Sequence, residues 1–108
     1  MAVNISDESK FMKDAYDRFL RTLCNKTRLS IIQSLRDSPK NVTQLTEKLR
    51  IHQTSVSHGL KRLLNCGFVH VTQNGRERVY SVNEKTIKPL LGLMESHIEN
   101  YCKKRCCE

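Results

Sequence analysis

A chain of 108 residues is one domain's worth of sequence. With 38% hydrophobic and only 6% aromatic residues it can build a thin core that a partner subunit would reinforce. The net charge of +8 points to a polyanionic partner, either nucleic acid or an acidic membrane surface. No apolar run reaches the length of a membrane span and the N-terminus lacks the layout of a signal peptide, so a cytoplasmic protein with no membrane partner is expected.

In chain order, Phe11, Ala15, Phe19, Leu20 and Leu23 recur at helical spacing and predict a first helix over about 6–23. Leu29, Ile31, Ile32 and Leu35 predict a second over 26–35, ended by Asp37-Ser38-Pro39. Asn41 can cap a third helix with Gln44 as its reciprocal partner, and Leu45 and Leu49 give that helix an inner face. Arg50 and Ile51 form a turn. The stretch HQTSVSHGLKRLLNCGFV then supplies a fourth helix, with Val56, Leu60, Leu63 and Leu64 inward and Gly67 placed to close it. Val69, Val71 and Val79 alternate with polar residues around Gln73-Asn74-Gly75-Arg76, the signature of a tight β-hairpin. A last helix follows over about 84–104, with Ile87, Leu90, Leu91, Met94, Ile98 and Tyr101 as its apolar stripe and Pro89 tolerated in its first turns.

The outer face of the fourth helix carries the functional signal. Gln53, Thr54, Ser55, Ser57, His58, Lys61 and Arg62 include no carboxylate, and short hydroxyl and amide side chains let a helix approach DNA and bond to bases or phosphates. Two short helices, a tight turn and such a face describe a helix-turn-helix over about 41–66, whose second helix enters the major groove. Gln53, Thr54, Ser57 and His58 are early enough to reach bases, while Lys61 and Arg62 suit phosphates. The hairpin over about 69–82 carries Arg76 and Arg78 on alternate residues near its tip, so both are expected on one side of the strand as a wing against the DNA backbone. Taken singly these features are weak, because polar residues usually mark a wet face and a basic hairpin often only protects an edge. Their order and close spacing carry the reading: a mainly α winged helix-turn-helix with one small β-hairpin, in a single domain over 1–108.

At this point the chain resembles a known family. TLCNKTRLSIIQSL is similar to A-L-A-N-P-T-R-L-x-I-L. NVTQLTEKLRIHQTSVSHGLKRLLNCGFV resembles V-x-E-L-A-x-x-L-x-x-S-Q-S-T-V-S-x-H-L-x-x-L-x-x-A-G-L-V, and NGRERVYSV resembles x-G-R-x-x-Y-x-L. These are segments of the ArsR/SmtB family of winged-helix repressors, and the likeness covers about 20–82. Lys26, His52, His58 and Gly59 depart from the pattern, and the last three bear on operator sequence. The resemblance implies a homodimer joined through the first and last helices, bound to a double-stranded DNA operator and released by a metal ion, metalloid or oxidant. The excess apolar stripe on those two helices supports a dimer independently, with two recognition helices ~34 Å apart.

Sensing is expected at cysteines, if anywhere. The family's arsenic-binding Cys-x-Cys aligns with Asn41 and Thr43, and its interhelical zinc ligands align with Glu84, Thr86, His97 and Asn100, so neither set is complete. Cys24 and Cys66 read as small buried apolar residues. In the tail YCKKRCCE, Cys102, Cys106 and Cys107 lie among Lys103, Lys104 and Arg105, and cations favour the thiolate that binds As(III) or a soft divalent metal. A helix C-terminus works against the thiolate, and a basic tail with incidental thiols is the plain alternative. Other readings are a ligand-independent or redox-responsive DNA-binding protein, or a winged helix used for protein contacts. No glycine-rich phosphate loop, nucleophile elbow or His-Glu-x-x-His supports an enzyme.

Overall fold

The computed structural model describes residues 5–102. Five helices and one hairpin follow in the order α1 (Ile5–Leu23), α2 (Lys26–Asp37), α3 (Val42–Leu49), α4 (Gln53–Asn65), β1 (Val69–Asn74), β2 (Glu77–Val82) and α5 (Ile87–Tyr101). This is the mainly helical, winged arrangement that the residue patterns predict.

Local chemistry sets most boundaries. Asn25 caps α2 by accepting a hydrogen bond from the Arg28 amide at 2.9 Å. Asn41 and Gln44 form the full capping box of α3, each side chain bonded to the other's backbone amide at 2.8 Å. Arg50 closes α3 in the left-handed conformation with φ 55°, which leaves Arg50, Ile51 and His52 as the turn into α4. Gly67 takes φ 75° after α4, where glycine adopts a left-handed backbone without the steric cost of a Cβ.

The core is built where α2, α3, α4 and the base of the hairpin meet. Ile31, Ile32, Leu35, Leu45, Val56, Leu60 and Leu63 are fully or almost fully buried there. Phe68 is a central member that the periodicity did not single out. It has no exposed surface and stacks on Phe19 of α1 with ring centroids 4.8 Å apart. Gly59 lets α4 approach α2 closely, since a Cβ there would lie 3.0 Å from Ile31 Cδ1 and 3.5 Å from Arg28 Cγ.

Two expectations are corrected. The last helix starts at Ile87 rather than 84, because the Asn83 side chain accepts bonds from the Lys85 and Thr86 amides and holds that segment as a turn. It ends at Tyr101, and the rest of the expected span, 103–104, lies outside the described residues. The pairing of the strands decides which face of the hairpin is covered. The loop is Gly75-Arg76, with Asn74 paired to Glu77, so Val69 and Val71 face Val82 and Tyr80, and these two are the buried residues of β2. Cys24 is exposed rather than packed, because α1 ends at Leu23 and Cys24 falls in the short link to α2.

Candidate nucleic-acid interface

The outward positions of α4 follow from its amphipathic register. Val56, Gly59, Leu60 and Leu63 turn inward, which leaves Gln53, Thr54, Ser55, Ser57, His58 and Lys61 exposed on the opposite side. No acidic residue occurs in α4. Asn25, Thr27 and Arg28 at the start of α2 line one hollow of about 240 Å³ with Ser55, His58 and Gly59 of α4. The polar face of α4 therefore continues onto the start of α2.

Arg62 has a different surrounding. Its Nε donates to Thr22 Oγ1 of α1 at 3.1 Å, forty positions away in sequence. Thr22 is completely buried, donates its hydroxyl to the Arg18 carbonyl at 2.8 Å, and lies 3.4 Å from the half-buried Cys66 Sγ. With the threonine proton on the Arg18 carbonyl, the Cys66 thiol is the donor in that contact. Arg28 of α2 reaches the same turn from the other side, donating to the Thr22 carbonyl at 2.7 Å and the Arg21 carbonyl at 3.0 Å.

The wing is tied to the helix-turn-helix by contacts that local patterns do not reveal. Lys40, just before α3, exchanges both backbone hydrogen bonds with Tyr80 of β2, at 3.0 and 2.8 Å. Asn41 Nδ2 donates to the Glu77 carboxylate at the start of β2. The Lys40 ammonium donates to the Ser34 and Ser38 carbonyls and the Ser38 hydroxyl at 2.8–3.1 Å, closing the end of α2. Burial lowers its pKa from the ordinary lysine value, Lys48 adds to the lowering, and Asp37 opposes it.

At the tip, Gly75 has φ 66° and Arg76 is the second loop residue, so it lies in the turn and strand alternation does not govern it. The expected common side for Arg76 and Arg78 is thus replaced by a turn arginine and a strand arginine. Arg78 shares the face of Tyr80, with its guanidinium carbon 5.8 Å from the ring centroid. Both are exposed.

Three of the positions weighed as metal ligands do other work. Asn41 caps α3, Asn100 donates to the Ser96 carbonyl at 2.9 Å, and His97 packs on the Tyr101 ring with centroids 5.0 Å apart. Among the described residues no group of three or more His, Cys, Asp or Glu could hold a metal ion. Cys102 is half-buried at the end of α5, and Cys106 and Cys107 lie outside the described residues.

An exposed, carboxylate-free second helix beside a tethered basic hairpin defines the winged-helix class of DNA-binding regulators. Comparison with known proteins gives the family: the chain belongs to the ArsR/SmtB family of transcriptional regulators. The family described as "Bacterial regulatory protein, arsR family" matches residues 25–71. The HTH-type transcriptional regulator NmtR of Mycobacterium tuberculosis is 37% identical over 81 residues, 75% of this chain and 68% of that protein. A "Probable mercury resistance operon repressor" of Streptomyces lividans is 30% identical over 95 residues, 87% of this chain and 76% of that protein. The solution structure of apo-NmtR has a TM-score of 0.69 at 32% identity, covering 93% of this chain and 81% of that one. The homodimeric winged helix-turn-helix DNA-binding domain of Mb0332 from Mycobacterium bovis shares the fold, with a TM-score of 0.83 at 20% identity over 98% of this chain and 97% of that one. The relatives are regulators, and this protein is likewise a regulator rather than an enzyme.

Proposed function

We propose that the protein is a cytoplasmic, homodimeric repressor that reads a palindromic operator with α4 and grips the backbone with its wing. The observation that carries this is the row Gln53, Thr54, Ser55, Ser57, His58 and Lys61, all exposed on a helix without a carboxylate. Gln53, Thr54, Ser57 and His58 contact base edges; Ser55, Lys61, Arg76 and Arg78 contact phosphates. Arg62 differs from this set in that its Nε is engaged by Thr22.

The dimer is supported by what α1 and α5 leave uncovered. Phe11 is 69% exposed and Tyr16 63% on α1, and Leu93 is 70% and Tyr101 78% on α5. Such a concentration of large apolar side chains on two helices marks a protein contact. The effector is a thiol-binding metal or metalloid, held by Cys102, Cys106 and Cys107. The mercury-resistance name of the Streptomyces lividans relative supports this choice of chemistry.

Fluorescence anisotropy of the reduced protein on DNA from upstream of its own coding sequence tests these assignments. Selective binding that weakens steeply with salt is expected, as is release by arsenite or Hg(II) in slight excess. Gln53→Ala should relax discrimination between operator and unrelated DNA. Unselective, salt-insensitive binding would remove the groove assignment, and binding untouched by either reagent, or lost equally in Cys102→Ser, would remove the thiol effector.

A further inference from the structure

Helix α1 carries much of the uncovered apolar surface, yet its packing on the rest of the chain is sparse. Only Thr22 and Leu23 of α1 are buried among the described side chains, with Phe19 half-buried against Phe68. Most of the polar ties that hold the end of this helix meet at Thr22. Arg28 of α2 holds the Thr22 carbonyl, while Arg62 and Cys66, at the end of α4, hold the Thr22 hydroxyl.

We infer that Thr22 and Arg62 together form a positioning device for the recognition helix, coupling the orientation of α1 to that of α4, and that Arg62 acts through this link rather than on a phosphate. The inference rests on the DNA-binding reading above. Physically, a buried hydroxyl with one proton can satisfy the Arg18 carbonyl, the Arg62 Nε–H and the Cys66 thiol together only in a narrow geometry. A rotation of α1 against α4 breaks at least one of these bonds and leaves the completely buried Thr22 hydroxyl short of a partner. Any partner that sets α1 therefore also sets where α4 points. On its outer side Arg62 lines a hollow with Asp14, Asp17, Arg18 and Arg21 of α1, where Asp17 pairs with Arg21 at 2.9 Å.

Thr22→Val keeps the side chain's shape and removes the hydroxyl, Thr22→Ser keeps the hydroxyl, and Arg62→Gln removes the Nε donor from a side chain that is otherwise exposed. Two readouts separate the possibilities. In the free full-length protein, amide hydrogen exchange of the last two turns of α4 should rise about tenfold in Thr22→Val and Arg62→Gln and stay unchanged in Thr22→Ser. On duplex DNA from upstream of the gene, both variants should lose about tenfold in affinity. The double variant should be no worse than either single one, and the salt dependence should be unchanged. A phosphate contact by Arg62 would instead lower the salt slope by about one in Arg62→Gln and leave Thr22→Val like the wild type, which overturns the inference. Unchanged exchange in both variants overturns it as well. Failure of the wild type to bind any DNA would strike the proposed function, while the exchange result would still decide whether Thr22 ties α1 to α4.

Discussion

At the scale of single residues, Gly59 shows how a missing side chain sets a helix crossing. It falls in mid-helix, where glycine costs about 1 kcal/mol relative to alanine, so its presence needs a packing reason. That reason is Ile31, a fully buried side chain whose Cδ1 would meet an added Cβ at 3.0 Å. Gly59→Leu should therefore destabilise the protein by about 1–3 kcal/mol in urea unfolding despite leucine's better helix propensity. A more stable Leu variant would mean that α2 and α4 have room to separate. Lys40 acts by its donors rather than by a charge partner. Its lowered pKa means the unfolded chain holds the proton more tightly, so this group's contribution to stability rises as pH climbs toward the ordinary lysine value of 10.5. Lys40→Met, which removes three hydrogen bonds at the end of α2, should cost about 1 kcal/mol at neutral pH.

At the scale of elements, the wing is held at its base and free at its tip. The Lys40–Tyr80 backbone pair and the Asn41–Glu77 hydrogen bond join β2 to the entrance of α3, so the hairpin and the helix-turn-helix share one frame. Asn41→Ala removes the cap of α3 and this tie together. Its expected cost is about 1 kcal/mol for the cap alone, read as a drop in Tm, with a loss of DNA affinity beyond what stability explains. Arg76 has no such anchoring duty in the turn. Arg76→Ala should leave Tm unchanged and weaken DNA binding on every sequence, with a salt slope smaller by about one. An unchanged slope would take the wing off the backbone.

At the scale of the whole molecule, the core under α4 is covered while the outer faces of α1 and α5 are not. Met12, Ala15, Tyr16 and Phe19 line an apolar hollow of about 280 Å³ on α1. Charges placed there should separate the subunits. Met12→Glu with Tyr16→Glu is expected to give a monomer in sedimentation with at least tenfold weaker operator binding, since two half-sites can no longer be held at once. A variant that remained dimeric would move the subunit contact elsewhere. The Arg36–Glu95 pair, at 2.6 Å, links α5 to α2 in the same way that Thr22 and Arg62 link α1 to α4. The hydrogen bond that Arg36 donates to Glu95, more than the charge of Glu95 or that of Asp37, raises the Arg36 pKa against the lowering effect of burial. Each of the two helices with uncovered apolar surface thus has a polar tie to the helices that build the core.

The sequence by itself determined the local events: the capping box of Asn41 and Gln44, the stop at Gly67, the tight turn at Gly75, and the inward face of α4 at Val56, Leu60 and Leu63. Each depends on residues within about one turn of each other, so spacing alone exposes it. The family resemblance reached the same helices through the same residues. Alternation alone left open which residues of β2 meet the core; the register, with Val69 opposite Val82 and Val71 opposite Tyr80, decides it. Only the tertiary structure decided where the long polar side chains go. Arg62 and Lys61 are neighbours of the same charge on one helix, yet Arg62 meets Thr22 across forty residues while Lys61 stays exposed. Lys40 turns back onto α2, and Cys24 and Cys66 part into exposed and half-buried sites. A flexible cationic side chain has no periodicity of its own; its partner is set by which helices the core brings together, and that is a property of the packing.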